Sequence, residues 1–383
     1  MPATDLAVLT QQVLWASFLV AAAFGALVQR TGFCTMGAVS DVVTMGDWTR
    51  MRQWGLAAGV AMVGFGVLAW RGTIDPAKVL YASNRLIWLS ALVGGLIFGF
   101  GMVLASGCVS KTLARIGGGN LKSLVVALVL GIAAFATLKG LTAVWRTASV
   151  DRVAIDLPIS ASLPAWASAA TGLSPPLAGL LLGLAVGGAL VAWALASREF
   201  RNASNLLAGL GVGGLVLAMW WVSGHLGFVA EHPQTLEEVV VATNSTRAES
   251  LSFVAPVAYT LDWLMFYSDR SKLLSVGIVT VLGVIAGSAV VSIAQGSFRW
   301  EGFGNTEDVA HHLMGAVLMG VGGVTAMGCS IGQGVSGVST LSVTSFLAVG
   351  AMVAGAAAGL RYQMWRLERL DAPGHAVAAG RAG

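Results

Sequence analysis

Charge is scarce in this sequence. Only 10% of its 383 residues are Asp, Glu, Lys or Arg, where soluble domains carry about a quarter. That deficit excludes an ordinary globular protein. Cysteine is scarcer still: Cys34, Cys108 and Cys329 are the full complement. Their wide separation makes neither a Cys-x-x-Cys redox pair nor a zinc pattern, and an odd count excludes a purely structural disulfide framework. No Lys or Arg precedes Arg30, so the basic region of a cleaved signal peptide is missing and the first apolar stretch reads as a retained helix. The net charge is +4, but its basic residues are scattered near helix ends, which excludes a nucleic-acid face.

What is abundant is apolar surface and glycine. Apolar residues make up 56% of the chain and glycine supplies 50 positions, with a mean hydropathy of +0.79. Glycine at this level fits helices packed closely in lipid. A span needs roughly 20 mostly apolar residues. By that measure the chain reads as an all-α integral membrane protein, a single polytopic domain (1–383). About nine spans fall at 10–29, 53–70, 86–106, 123–139, 177–197, 205–223, 273–294, 309–327 and 343–360. Arginines in the 361–383 tail place it in the cytoplasm by the positive-inside rule. Counting back through nine spans puts the N-terminus on the periplasmic side. One loop, 71–85 with Arg71, Lys78 and Arg85, goes against that count.

A duplication is visible in the residues. GGLIFGFGMVLASGCV (94–109) and GAVLMGVGGVTAMGCS (315–330) align without a gap, so Gly94, Gly99, Gly101, Gly107 and Cys108 recur as Gly315, Gly320, Gly322, Gly328 and Cys329. The two spans run in opposite directions by the loop count. The chain therefore reads as two inverted repeats, 10–145 and 177–360, a construction that secondary transporters share. The stretch after Cys108 is basic and the one after Cys329 is uncharged, as inversion predicts. Aligning Gln29 with Gln295 would set Cys34 against Trp300.

Four stretches are too polar or Gly-rich for plain spans and too apolar for ordinary loops: 31–47, 106–119, 295–308 and 328–342. Irregular backbone at membrane depth is tolerated only when it is buried in protein or lines a cavity, so these read as re-entrant half-helices. Gly32, Gly107 and Gly328 then set Cys34, Cys108 and Cys329 at half-helix N-termini, where unpaired N–H groups and the dipole suit an anion. Ser110, Ser330 and Gln333 are possible polar partners there. Lys111 and Arg115, four apart on one face, serve either to set topology or to draw an anion. Asp41 is the one acid inside a candidate half-helix, with capping and gating both open to it. GQGVSG (332–337) matches a dinucleotide fingerprint only in letters, since no strand precedes it. His311 and His312 are adjacent and cannot chelate one metal from a helix. No cofactor, metal site or catalytic group is expected.

The motifs GFCTMGA (32–38), SGCVSKTLARIGGGNLKSL (106–124) and MGVGGVTAMGCSIGQGVSGVSTLS (319–342) resemble the YeeE/YedE family of sulfur-transport membrane proteins, over about residues 15–360. That resemblance implies an hourglass of nine spans plus half-helices in the bacterial inner membrane. It also implies that Cys34, Cys108 and Cys329 line a thiosulfate path, so the protein would be a transporter, not an enzyme. A soluble TusA-like sulfur carrier would be a separate partner, since the tail after Leu360 is too short to hold one. Other readings stay open: transport of a different sulfur or selenium oxyanion, or a membrane thiol sulfurtransferase or oxidoreductase.

Overall fold

The computed structural model describes residues 3–233 and 236–371, so the end of the expected tail, 372–383 with Arg381, lies outside the described residues. The described residues are mostly helical. In order come α1 (Ala3–Thr31), α2 (Thr35–Met45), α3 (Thr49–Trp70), α4 (Trp88–Leu104), α5 (Val109–Gly117), α6 (Leu121–Lys139), α7 (Leu141–Ala148) and α8 (Leu163–Thr171). Then α9 (Pro175–Leu182) and α10 (Gly188–Ala196) join through a π turn at Gly183–Gly187, and α11 (Ala203–Trp221) ends in a second π turn. The last elements are α12 (Val254–Met265), α13 (Val276–Ala294), α14 (Thr306–Thr325), a third π turn at Gly332–Gly337 and α15 (Val343–Asp371). Two short antiparallel pairs, Arg85–Leu86 with Ile155–Asp156 and Phe228–Val229 with Val239–Val240, clip loops together.

Local chemistry sets the helix ends. Asn120, Asn202 and Asn305 each accept a hydrogen bond from the backbone N–H three residues on, at 2.7–2.8 Å, which satisfies an orphan donor of the first turn. Pro175 and Pro176 open α9, where a missing N–H costs nothing. Gly46 ends α2 with φ 69°, the left-handed conformation that glycine takes freely.

Among the described residues, eight segments are long and apolar enough to cross a membrane. The expected span over 309–327 is not one of them. Its helix, α14, has 20 residues, but Glu307, Asp308, His311 and His312 occupy its opening turns. These polar groups are engaged: Asp308 meets Lys122 at 2.7 Å, Glu307 meets Arg366 at 2.6 Å, and Arg366 also meets His311. The segment 295–308 differs from expectation as well. It forms a loop running into α14 and no half-helix, because its backbone pairs with the turn after α5 instead: Arg299 N–H and Glu301 N–H donate to Gly118 and Gly119.

The centre of the molecule is a crossing of α4 and α14. A Cβ on Gly94 would sit 2.5 Å from the Ala326 nitrogen, and one on Gly315 would sit 2.5 Å from the Ala105 nitrogen. The helices therefore run antiparallel with backbones in contact, a close approach that only small residues permit. Around this pair, Gly99 rests on Met352 and Ala356 of α15, and Gly320, its counterpart, rests on Leu130 and Ala134 of α6. Gly209 and Gly213 of α11 lie against Leu56 and Ala57 of α3, and Gly283 and Gly287 of α13 lie against Phe18 and Ala22 of α1. Glycine is thus the contact residue in each of these helix pairs.

Replacing Gly94 or Gly315 by Ala is expected to destabilise the detergent-solubilised protein by about 1–3 kcal/mol each, the usual cost of overpacking. Gly188→Ala, which meets nothing within 4 Å, is the control and should leave thermal unfolding unchanged or slightly raised.

Candidate functional site

Each cysteine stands where a helix begins. Cys34 is the N-cap of α2 and Cys108 the N-cap of α5, both with extended backbone. Cys329 immediately precedes the helical segment that opens at Ser330 and widens into the π turn. The turns before Cys108 and Cys329 are copies of one another. Ser106 N–H donates to Val103 and Gly107 N–H to Met102; Met327 N–H donates to Val324 and Gly328 N–H to Gly323. The left-handed residues are Ser106 (φ 56°) and Met327 (φ 57°), not the glycines that follow them. Gly328 instead makes room for a neighbouring side chain, since a Cβ there would sit 3.1 Å from Gln333 Cγ.

These turns fold back into the bundle. Gly94 lies against Ala326 and Ala105 against Gly315, so α4 and α14 end about 16 Å apart along the crossing, at 1.5 Å per residue. Yet the Cys108 side chain reaches both Ser330 and Cys34. The three thiols are therefore gathered at one place from three separate helix openings.

The donors around them are specific. Cys108 Sγ lies 3.3 Å from Ser110 Oγ and beside the Lys111 N–H and Ser330 Oγ. Ser330 Oγ is buried and otherwise without a partner. Cys329 Sγ accepts from Gly332 N–H at 3.4 Å and stands near the Phe253 and Ile331 N–H groups. Cys34 Sγ stands near the Gly37 and Cys108 N–H groups, and Thr35 Oγ1 next to it has no partner. Gln333 donates through Nε2 to the Ala326 carbonyl at 2.7 Å, which pins the turn before Cys329, while its Oε1 is unpaired. A buried polar atom left without a partner is costly, so several at one site mark a place that a polar guest would complete.

Cavities approach this cluster from the two ends of the crossing. At the Ala105 end, about 410 Å³ is lined by Ser106, Lys111, Arg115, Asn120, Lys122 and His312, among others. Arg115 Nη1 donates to the Ser106 carbonyl at 2.9 Å, so it braces the turn while facing the cavity. At the Ala326 end, a cavity of about 260 Å³ borders Met327 and Gly328 and includes Arg146, Glu249 and Tyr259. A smaller one of about 120 Å³ contains Tyr81, Met327 and Gln333. Tyr81 donates its hydroxyl to the Gly332 carbonyl at 2.5 Å, which ties the 71–87 loop to the half-helix after Cys329.

The structure thus groups Cys34, Cys108, Ser110 and Ser330, with Cys329 and Gln333 beside them, and puts Lys111 and Arg115 in the cavity next to them. Asp41 sits on α2 and pairs with Arg50 at 3.3 Å; Arg50 also covers Gly37 in the turn that carries Cys34. The alignment that set Cys34 against Trp300 does not hold. Trp300 is an exposed loop residue packed edge-to-face on Phe298. Opposite Cys34 stands Phe253, the N-cap of α12: α12 packs on α6 as α2 packs on α15, and α6 and α15 follow the two duplicated turns. Phe253 is fully buried against Phe24, with centroids 5.5 Å apart. Phe253, Tyr81, Glu249 and Arg50 are the residues that sequence reasoning missed. A helical pattern over 254–265 was the available signal for Phe253, but it lay hidden in a long, acid-bearing segment. No group of His, Cys, Asp and Glu among the described residues could hold a metal ion.

The chain is similar to known transport proteins over most of its length. The family described as sulphur transport matches residues 30–358. The thiosulfate transporter TsuA of Spirochaeta thermophila is 27% identical over 349 residues, covering 88% of this chain and 94% of that one. The thiosulfate transporter TsuA of Escherichia coli is 26% identical over 336 residues, covering 84% and 86%. The probable transporter YedE of Escherichia coli matches 110 residues at 30% identity, 29% of this chain and 26% of that one.

Cys108 and Cys329 are 0% exposed and Cys34 is 9% exposed. In the folded protein a bulky maleimide should modify at most Cys34, and that slowly. After denaturation in SDS, intact-mass measurement should show three adducts.

Proposed function

This chain belongs to the sulphur-transport family, and we propose that it moves thiosulfate across the bacterial inner membrane, handing the ion along thiols and backbone N–H groups without covalent change. The observation that carries this reading is the meeting of Cys34 and Cys108 side chains beside Ser330, with Cys329 next to Ser330 in sequence and cavities leading to the cluster from both ends. The likeness to two thiosulfate transporters over more than four-fifths of the chain supports the same substrate.

The chemistry matches the ion. Thiosulfate is a dianion with one soft terminal sulfur and three hard oxygens. Thiols offer weak S–H donors to the sulfur, and the N–H groups opening α2, α5 and the Ser330 helix offer donors to the oxygens. Moving two negative charges inward against 100 mV costs about 4–5 kcal/mol. The narrow centre must not add a deep well to that slope, because conduction requires binding weak enough to release. Neutral donors meet that condition, while Lys111 and Arg115 supply full charge only in the wider cavity. Ser110 and Ser330 complete the polar contacts, and Gln333 acts as a positioning residue for the Cys329 turn.

Orientation follows the loop charges. With α14, antiparallel to α4, as the ninth passage, the C-terminal helix end is cytoplasmic and the N-terminus periplasmic, so the Lys111 cavity opens inward and the Glu249 cavity outward. The two halves are read as inverted repeats. Reciprocal contacts support this, since Gly94 meets the Gly322 carbonyl and Gly315 meets the Gly101 carbonyl. The packing partners match α1 with α11, which moves the start of the second repeat from 177 to about residue 203. A separate TusA-like carrier would collect sulfur at the cytoplasmic mouth.

Proteoliposomes supplied with sulfur-labelled thiosulfate test this. Cys34→Ser, Cys108→Ser and Cys329→Ser should each lower the initial rate about tenfold or more, equal to at least ~1.4 kcal/mol at the barrier. Unchanged uptake in all three would sink the relay. A persulfide detected by mass spectrometry on any of them during turnover would favour the sulfurtransferase reading.

A further inference from the structure

The cavity beside Met327 and Gly328 holds one acid that the relay does not use. Glu249 lies in the segment leading to α12, partly buried, and lines this space of about 260 Å³ with Arg146, Asn244, Ser245, Ser252 and Tyr259. No ion pair involves its carboxylate among the described residues. The neighbouring cations are engaged elsewhere: Arg247 donates to the Ala82 carbonyl at 2.8 Å, Lys78 pairs with Glu238 at 2.5 Å, and Arg146 Nη1 pairs with Asp151 at 3.2 Å. The titratable groups facing Glu249 are Tyr81 from the 71–87 loop and Tyr259 from α12, with Arg146 of α7 across the cavity. The Asn244 N–H faces the carboxyl. Tyr81 faces Cys329 as well as Glu249, so the carboxyl stands one side chain from the first thiol on this side.

Apart from Glu249, the polar side chains lining the cavity can donate. Arg146 Nε is buried without a partner, and Ser252, Tyr259 and Ser245 carry hydroxyls. Such a donor set suits a tetrahedral oxyanion, and one carboxylate in its wall opposes it. Resting on the transport reading above, we propose that this cavity is the outward capture site for the sulfur oxyanion and that protonation of Glu249 admits it. The neutral carboxyl donates an O–H to an anion oxygen; the carboxylate repels the dianion and keeps it out of the turn before Cys329. Burial pushes the Glu249 carboxyl up to about 7, within the range where an outer medium changes its charge.

The sign is set by that value. Below it Glu249 is neutral and entry is open; above it entry closes. Labelled thiosulfate uptake should be measured below saturation in proteoliposomes, with the inner pH fixed and the outer pH raised from about 6 to about 8. The neutral fraction of a group titrating near 7 falls about tenfold across that interval, and the wild-type initial rate should fall with it. Glu249→Gln should flatten the profile. A wild-type rate indifferent to outer pH, or a Glu249→Gln variant that keeps the slope, overturns the proposal while leaving thiosulfate transport standing. Absence of wild-type uptake at every pH overturns the transport reading, and this proposal with it. Arg146→Lys supplies a second measurement, since it can keep the ion pair with Asp151 but lacks the Nε donor. It should raise the apparent KM several-fold while the pH slope persists; an unchanged KM overturns the capture site.

Discussion

The backbone contact between α4 and α14 is the constraint from which the rest of the site follows. Two helices that touch at Gly94, Gly101, Gly315 and Gly322 leave no room for side chains between them. Each ends in the same left-handed turn, at Ser106 and Met327, and each turn delivers a cysteine back toward the centre. In lipid, little hydrophobic force draws helices together, and association rests on close packing and polar contacts. Glycine supplies the first and the buried serines the second. The thiol cluster is thus a product of how tightly the scaffold closes.

Much of this was legible in the sequence because it is written in residue types with narrow physical uses. Repeated glycines announced close helix packing, though not that the two copies cross each other, and Gly-Cys at the end of both copies announced the turns. Cys34 could be grouped with Cys108 only by its own glycine-flanked motif, and the structure brings the two side chains together. Arg115 next to the Cys108 turn, read as either topogenic or functional, braces Ser106 while facing a cavity.

What was not legible depends on tertiary placement. The stretch 295–308 has the composition of a half-helix, yet its backbone hydrogen bonds go to Gly118 and Gly119, and nothing local announces that choice. The fourth half-helix, α12, was masked by the acidic residues around it. Phe253 could not be matched to Cys34 by letters at all, because the correspondence lies in which helix each element packs upon. Glu249 looked like an ordinary loop acid until the fold enclosed it, among the described residues, without an ion pair. Gly107 and Gly328 sit where the turns were expected but do not make them, since the positive backbone angles fall one residue earlier.

The replacement of a fourth thiol by Phe253 has a consequence for timing. On a two-fold scaffold with four equivalent thiols, a soft ion would dwell equally on both sides of the centre. Here two neighbouring thiols, Cys34 and Cys108, face a single thiol, Cys329, beside the Phe253 N–H. On the proposed relay, residence would be longest at the pair, on the side of Lys111 and Arg115. Occupancy would then be lopsided without any moving part, and in the proposed orientation the ion would wait nearest the mouth from which it leaves.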